Sequence, residues 1–134
     1  MNAVAHAPSS HLLRRAIRLD AIGSSALAAL LIAASAPMSQ WLHLPQGLLL
    51  GAGLLMLPYV AYLGWLLTRE RISAPQAWSV IAINACWAID SAILLLSGWV
   101  SPNASGLAFV IAQALAVVVF AELQYFGLRK QQRG

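Results

Sequence analysis

Charge is what this sequence has least of. Four acidic residues, Asp20, Glu70, Asp90 and Glu122, stand against eight basic ones in 134 residues. Charged residues amount to 9%, whereas a soluble domain carries about 25%. An ordinary water-facing surface is therefore excluded. Cysteine occurs once, at Cys86, which excludes an internal disulfide and cysteine-pair redox chemistry. Inside an apolar run Cys86 reads as a small buried residue. The three histidines, His6, His11 and His43, lie outside the apolar runs, so haem held by paired transmembrane histidines is not expected. No H-x-x-x-H, E-x-x-H or clustered carboxylates suggest a metal. No serine shares a depth with a histidine as nucleophile and base would. Gly51-Ala52-Gly53 has no lysine after it and is no phosphate loop. A non-catalytic protein without cofactors is the expectation. No polar linker divides the chain, so residues 1–134 read as a single membrane domain.

What the sequence has in quantity is apolar residues, 60% of the total, in four runs. Each is long enough to cross about 30 Å of hydrocarbon as a helix and too continuous for the alternating strands of a membrane barrel. The spans are expected at about 17–36, 46–68, 76–99 and 104–127. Residues 1–16 read as a disordered and then amphipathic lead-in, capped at Ser9 or Ser10. Residues 128–134 read as a basic tail. Ala34-Ser35-Ala36 resembles a signal-peptidase site, but Pro37 directly after it disfavours cleavage. Residues 37–45 read as an uncharged outer loop with Trp41 at headgroup depth. Pro58 is expected to kink the second span. Ser73-Ala74-Pro75-Gln76 predicts a capping box for the third.

The first span is rich in small residues, and the second opens on Gly47-xxx-Gly51, both suited to close helix approach. The basic residues fall before the first run (Arg14, Arg15, Arg18), between the second and third (Arg69, Arg71) and after the fourth (Arg129, Lys130, Arg133). By the positive-inside rule this predicts an all-α, antiparallel up-down four-helix bundle with both termini cytoplasmic. The net charge of +4 then reports topology and contact with anionic lipid, not nucleic acid.

Three acids lie within spans. Asp20 and Glu122 fall near the inner ends of theirs, where Arg18, Arg69, Arg71 or Arg129 are expected to pair with them. Asp90 lies about 13 Å below the outer surface by helical rise, and neither outer loop carries a cation. Aspartate at a helix centre costs about 2.5–3.5 kcal/mol. Gln113, at similar depth, is its expected partner. At 100° per residue, Asn84 and Ser91 nearly coincide, Trp87 is about 60° away and Asp90 a further 60°. Asp90, Trp87, Asn84 and Gln113, with Tyr59 and Tyr62 as aromatic walls, are the candidate ligand or proton site; polar glue between helices is the competing reading.

At Arg18-Leu19-Asp20-Ala21, Asn84-Ala85-Cys86-Trp87 and Gln113 to Gln124 the chain resembles small four-helix inner-membrane proteins of bacteria. That resemblance implies a bacterial inner-membrane location and no particular activity. In size and topology the chain is also similar to small multidrug-resistance transporters. Those use a glutamate within the first helix, where this sequence has only Asp20. Two functions follow: an accessory or self-associating bundle, with a second copy or a larger membrane protein as partner, which is preferred; or a transporter or binder of a small cationic or amphipathic molecule through Asp90.

Overall fold

The computed structural model describes residues 11–133. The expected lead-in caps Ser9 and Ser10, the disorder assigned to residues 1–10, and Gly134 lie outside them. Five helices follow one another: α1 (His11–Ala33), α2 (Ser35–Leu42), α3 (Gln46–Thr68), α4 (Ala74–Ser97) and α5 (Ala104–Arg133). Of these, α1, α3, α4 and α5 are long and apolar enough to cross a membrane. Their outer faces expose large apolar residues such as Ile22, Leu54, Ile89 and Leu115, as a lipid-facing bundle requires.

The expected outer loop at 37–45 is largely helix. Pro37 lacks the N–H that would bond Ala33, which bends the chain at Ala34. The ladder resumes at once, with Ala34 N donating to Leu30 O (2.8 Å) and Met38 N to Ala34 O (3.0 Å). Helix α2 ends at His43 in the left-handed region, φ 54°. Helix α3 continues through Pro58. Ser73 and Gln76 form the capping box of α4, which ends on Gly98 at φ 81°. The expected basic tail is helix as far as Arg133: Leu128 is buried, and Gln131 Nε2 donates to Ile72 O (2.8 Å).

The helices form an arc. Close backbone approaches join α3 to α1, α1 to α5 and α5 to α4, whereas consecutive α3 and α4 do not pack comparably. Three glycines permit the tightest approaches, and a Cβ at the first of them, Gly106, would overlap the Leu42 carbonyl oxygen. A Cβ at Gly127 would lie 2.6 Å from the backbone of Leu13, and one at Gly53 would lie 2.9 Å from Ile32 Cγ1. Gly47 and Gly51, by contrast, face open space, so their spacing serves no contact within this chain.

Polar caps hold both ends of the arc. At one end the Arg14 guanidinium donates to the carbonyls of Leu67 (3.3 Å), Arg69 and Glu70 (2.7 Å). Leu67 belongs to the last turn of α3, Arg69 is its C-cap and Glu70 follows it, so the cation meets the negative end of the helix dipole. At the other end Asn103 accepts from Gly106 N (2.8 Å), capping α5, and donates through Nδ2 to Trp41 O (2.8 Å). The contacts of Arg14 with α3, Gln131 with Ile72 and Gly127 with Leu13 gather all eight basic positions at one end.

Candidate functional site

Two polar centres lie within the arc. The first surrounds Asp20. This residue continues the buried stripe of α1, Leu13, Ala16, Ile17, Asp20, Ser24, Ala28 and Leu31, whose steps of three and four follow the helical repeat. Its exposure is 0%, that of Gln124 0% and that of Asn84 2%. Ser24 Oγ donates to its Oδ1 (2.8 Å). Tyr59 OH (2.5 Å), Asn84 Nδ2 (2.8 Å) and Gln124 Nε2 (2.8 Å) donate to its Oδ2. Asn84 Nδ2 also reaches Gln124 Oε1 (3.0 Å). One residue thus ties together α1, α3, α4 and α5, with donors suited to an acceptor-only carboxylate.

The expected pairing of Asp20 with arginine is not what the structure has; all of these partners are neutral. The reason is register. Asp20 lies about 9 Å along α1 from Arg14 by helical rise, and Arg14 is engaged at the end of α3. Glu122 is exposed. Arg129 turns to Tyr125 instead, with its guanidinium 5.9 Å from the ring centroid.

The second centre joins α4 and α5. Trp87 Nε1 donates to Gln113 Oε1 (2.6 Å), and Gln113 Nε2 donates to Ser91 Oγ (3.0 Å) and Val110 O (2.7 Å). Ser91 Oγ in turn donates to Trp87 O (2.8 Å). The expected Asp90–Gln113 bond is therefore replaced, because the Gln113 amide is fully used by Trp87, Ser91 and Val110. Tyr62 and Ser79 share a 2.7 Å hydrogen bond that bridges α3 and α4. Ser79 spends its own proton on Gln76 O, which makes Tyr62 the donor.

Asp90 belongs to neither centre. On α4 burial falls around the wheel in the order Asn84, Ser91, Trp87, Asp90. With Asn84 aimed at Asp20, a residue 120° away leaves the core. Asp90 is exposed and has no hydrogen-bond or ionic partner among the described residues. It faces the gap between α3 and α4, where two adjoining cavities of about 460 and 420 Å³ lie over α1 and α5. Leu27, Leu55, Trp87, Asp90 and Gln113 line both. Tyr59 lines the first; Tyr62 lines neither. Cys86, expected to be buried, is exposed on the wall of the first cavity, one turn from Asp90.

Of the six residues read as one site, the structure brings Asp90, Trp87 and Gln113 to both cavities and Tyr59 to one, and sends Asn84 to the Asp20 centre. Gln124 is not among the candidate site residues that the sequence offers, although it stands in register with Val110, Gln113, Val117 and Phe120 at intervals of three and four. Asp20 was detectable by the same rule, being three residues past Ile17 and four past Ala16. No trio of histidine, cysteine, aspartate or glutamate side chains able to hold a metal lies together among the described residues. No family model, curated protein or solved structure matches the chain.

Proposed function

We propose that this is a non-catalytic bacterial inner-membrane protein, with an antiparallel up-down bundle and both termini cytoplasmic, that binds a small amphipathic cation in the groove between α3 and α4. Asp90 carries this reading: it is a carboxylate without a partner among the described residues, at the junction of two largely apolar cavities. Intramembrane carboxylates are costly and mark ligand or ion paths. A cavity of this size suits a small ligand, with few polar groups to orient it. Asp20 supports the reading by contrast, since its carboxylate is wholly taken up in joining helices.

Cys86 is a native reporter for the test. In nonionic detergent, dodecyltrimethylammonium should slow alkylation of Cys86 by a membrane-permeant maleimide, while an uncharged dodecyl ether should not. Asp90→Asn should weaken that protection about tenfold, equivalent to about 1.4 kcal/mol. Equal protection of the native chain and Asp90→Asn would remove Asp90 from the site.

Self-association is the second reading, favoured by the open space at Gly47 and Gly51, which line the second cavity, so that a second copy would take the place of the ligand there. A second copy docked there would be displaced by Gly51→Leu, seen as a change of mass in detergent.

A further inference from the structure

Asp90 sits at a waist. The larger cavity extends from it toward Gly23, Tyr59 and Phe120, and the smaller extends the other way toward Leu48, Ala52 and Phe109. Along α5, Phe120 and Phe109 lie about 10 Å and about 6 Å from Gln113, in opposite directions by helical rise. The two volumes, about 460 and 420 Å³, are nearly equal. At the waist the indole N–H of Trp87 and the amide of Gln113 are consumed by each other and by Ser91 and Val110. The polar group left over there is the Asp90 carboxylate. A ligand with its charge at one end and a single tail fills one chamber and leaves the other to stray lipid chains. A ligand with its charge in the middle fills both.

We propose that the groove selects a cation flanked by two apolar arms, a dialkylammonium in chemical class, with the nitrogen at Asp90 and one arm in each chamber. This rests on the binding role assigned to Asp90 above. Trp87 lines both chambers and so is within reach of either arm. Dispersion contacts along both arms distinguish this ligand from an isomer of equal charge and carbon count, because in a membrane apolar area alone gives no preference.

The test compares dioctyldimethylammonium with its linear isomer pentadecyltrimethylammonium, reading the concentration that halves the alkylation rate of Cys86. The two-armed cation should protect at about tenfold lower concentration, the gain expected when a second set of packing contacts is completed. Ala52→Phe, which fills the second chamber, should erase the difference by weakening the two-armed cation while leaving the linear isomer unchanged. That unchanged value also shows that the variant is folded. Equal protection by the two isomers in the native chain overturns the two-armed class but leaves a cation site at Asp90. Stronger protection by the linear isomer overturns it as well. Protection by neither isomer overturns the binding reading itself. An uncharged dioctyl ether that protects as well as the cations identifies the groove as a lipid seat and overturns both.

Discussion

Asp20 accepts hydrogen bonds from four neutral side chains on four helices, and its removal strands donors that have no water to turn to. Each orphaned buried donor costs about 1–3 kcal/mol, so Asp20→Ala should lower stability by more than any other single polar truncation in the bundle. Unfolding in mixed micelles, followed by circular dichroism, measures this. Asp20→Asn should be partly destabilising, because an amide keeps the volume but offers one acceptor oxygen where the carboxylate has two. Asp90→Asn should leave the same unfolding curve within about 0.5 kcal/mol, the usual range for a surface change. An unfolding midpoint that moved as far for Asp90→Asn as for Asp20→Ala would mean that both acids are structural. The difference between them was only half legible in the sequence: helical register places Asp20 on the buried stripe, but the partners that neutralise its cost come from three distant segments.

At the scale of elements, close packing depends on particular glycines and not on the motif that first draws attention. Gly47-xxx-Gly51 has the spacing of a helix interface yet meets no neighbour, while Gly127 lies against the Leu13 backbone. Gly127→Ala should therefore separate α1 from α5 and cost about 1–3 kcal/mol, as overpacking does. Gly47→Ala should be neutral or slightly stabilising, since alanine lowers the entropy of the unfolded chain. Comparing the two variants by thermal unfolding in detergent checks this, and a larger loss for Gly47→Ala would contradict the packing described. Spacing identifies a small-residue face; which face meets a neighbour depends on how the helices are arranged around the arc.

For the whole molecule, the arc has a seam. Helices α3 and α4 are joined by a short link and share one buried apolar cluster near it, with Leu63, Leu66, Ile72, Ala77 and Val80, alongside the Asp20 centre and the Tyr62–Ser79 bond. Beyond those bonds the seam opens into the cavities that Asp90 faces. The basic residues gather at the end where Arg14 caps α3, and the proposed orientation puts that end in the cytoplasm by the positive-inside rule. In a Cys86→Ser background, a thiol introduced by Ser101→Cys should react with an impermeant maleimide on intact cells, and one introduced by Gln132→Cys only after lysis. The reverse pattern would invert the proposed topology.

Four long apolar runs and their basic flanks are local properties, and they determine by themselves that this chain forms helices long enough to cross a membrane. The capping box at Ser73 and the stop at Gly98 are local for the same reason: each depends on residues within one turn. The tertiary structure decided which acid is buried and which stands in the groove. That outcome depends on side chains from four helices meeting at one depth. Tyr59, Asn84 and Gln124 converge on Asp20 because α1 lies between α3 and α5, an order that no periodicity within a single helix encodes. With Asn84 drawn inward, the geometry of α4 turns Asp90 120° away, into the seam.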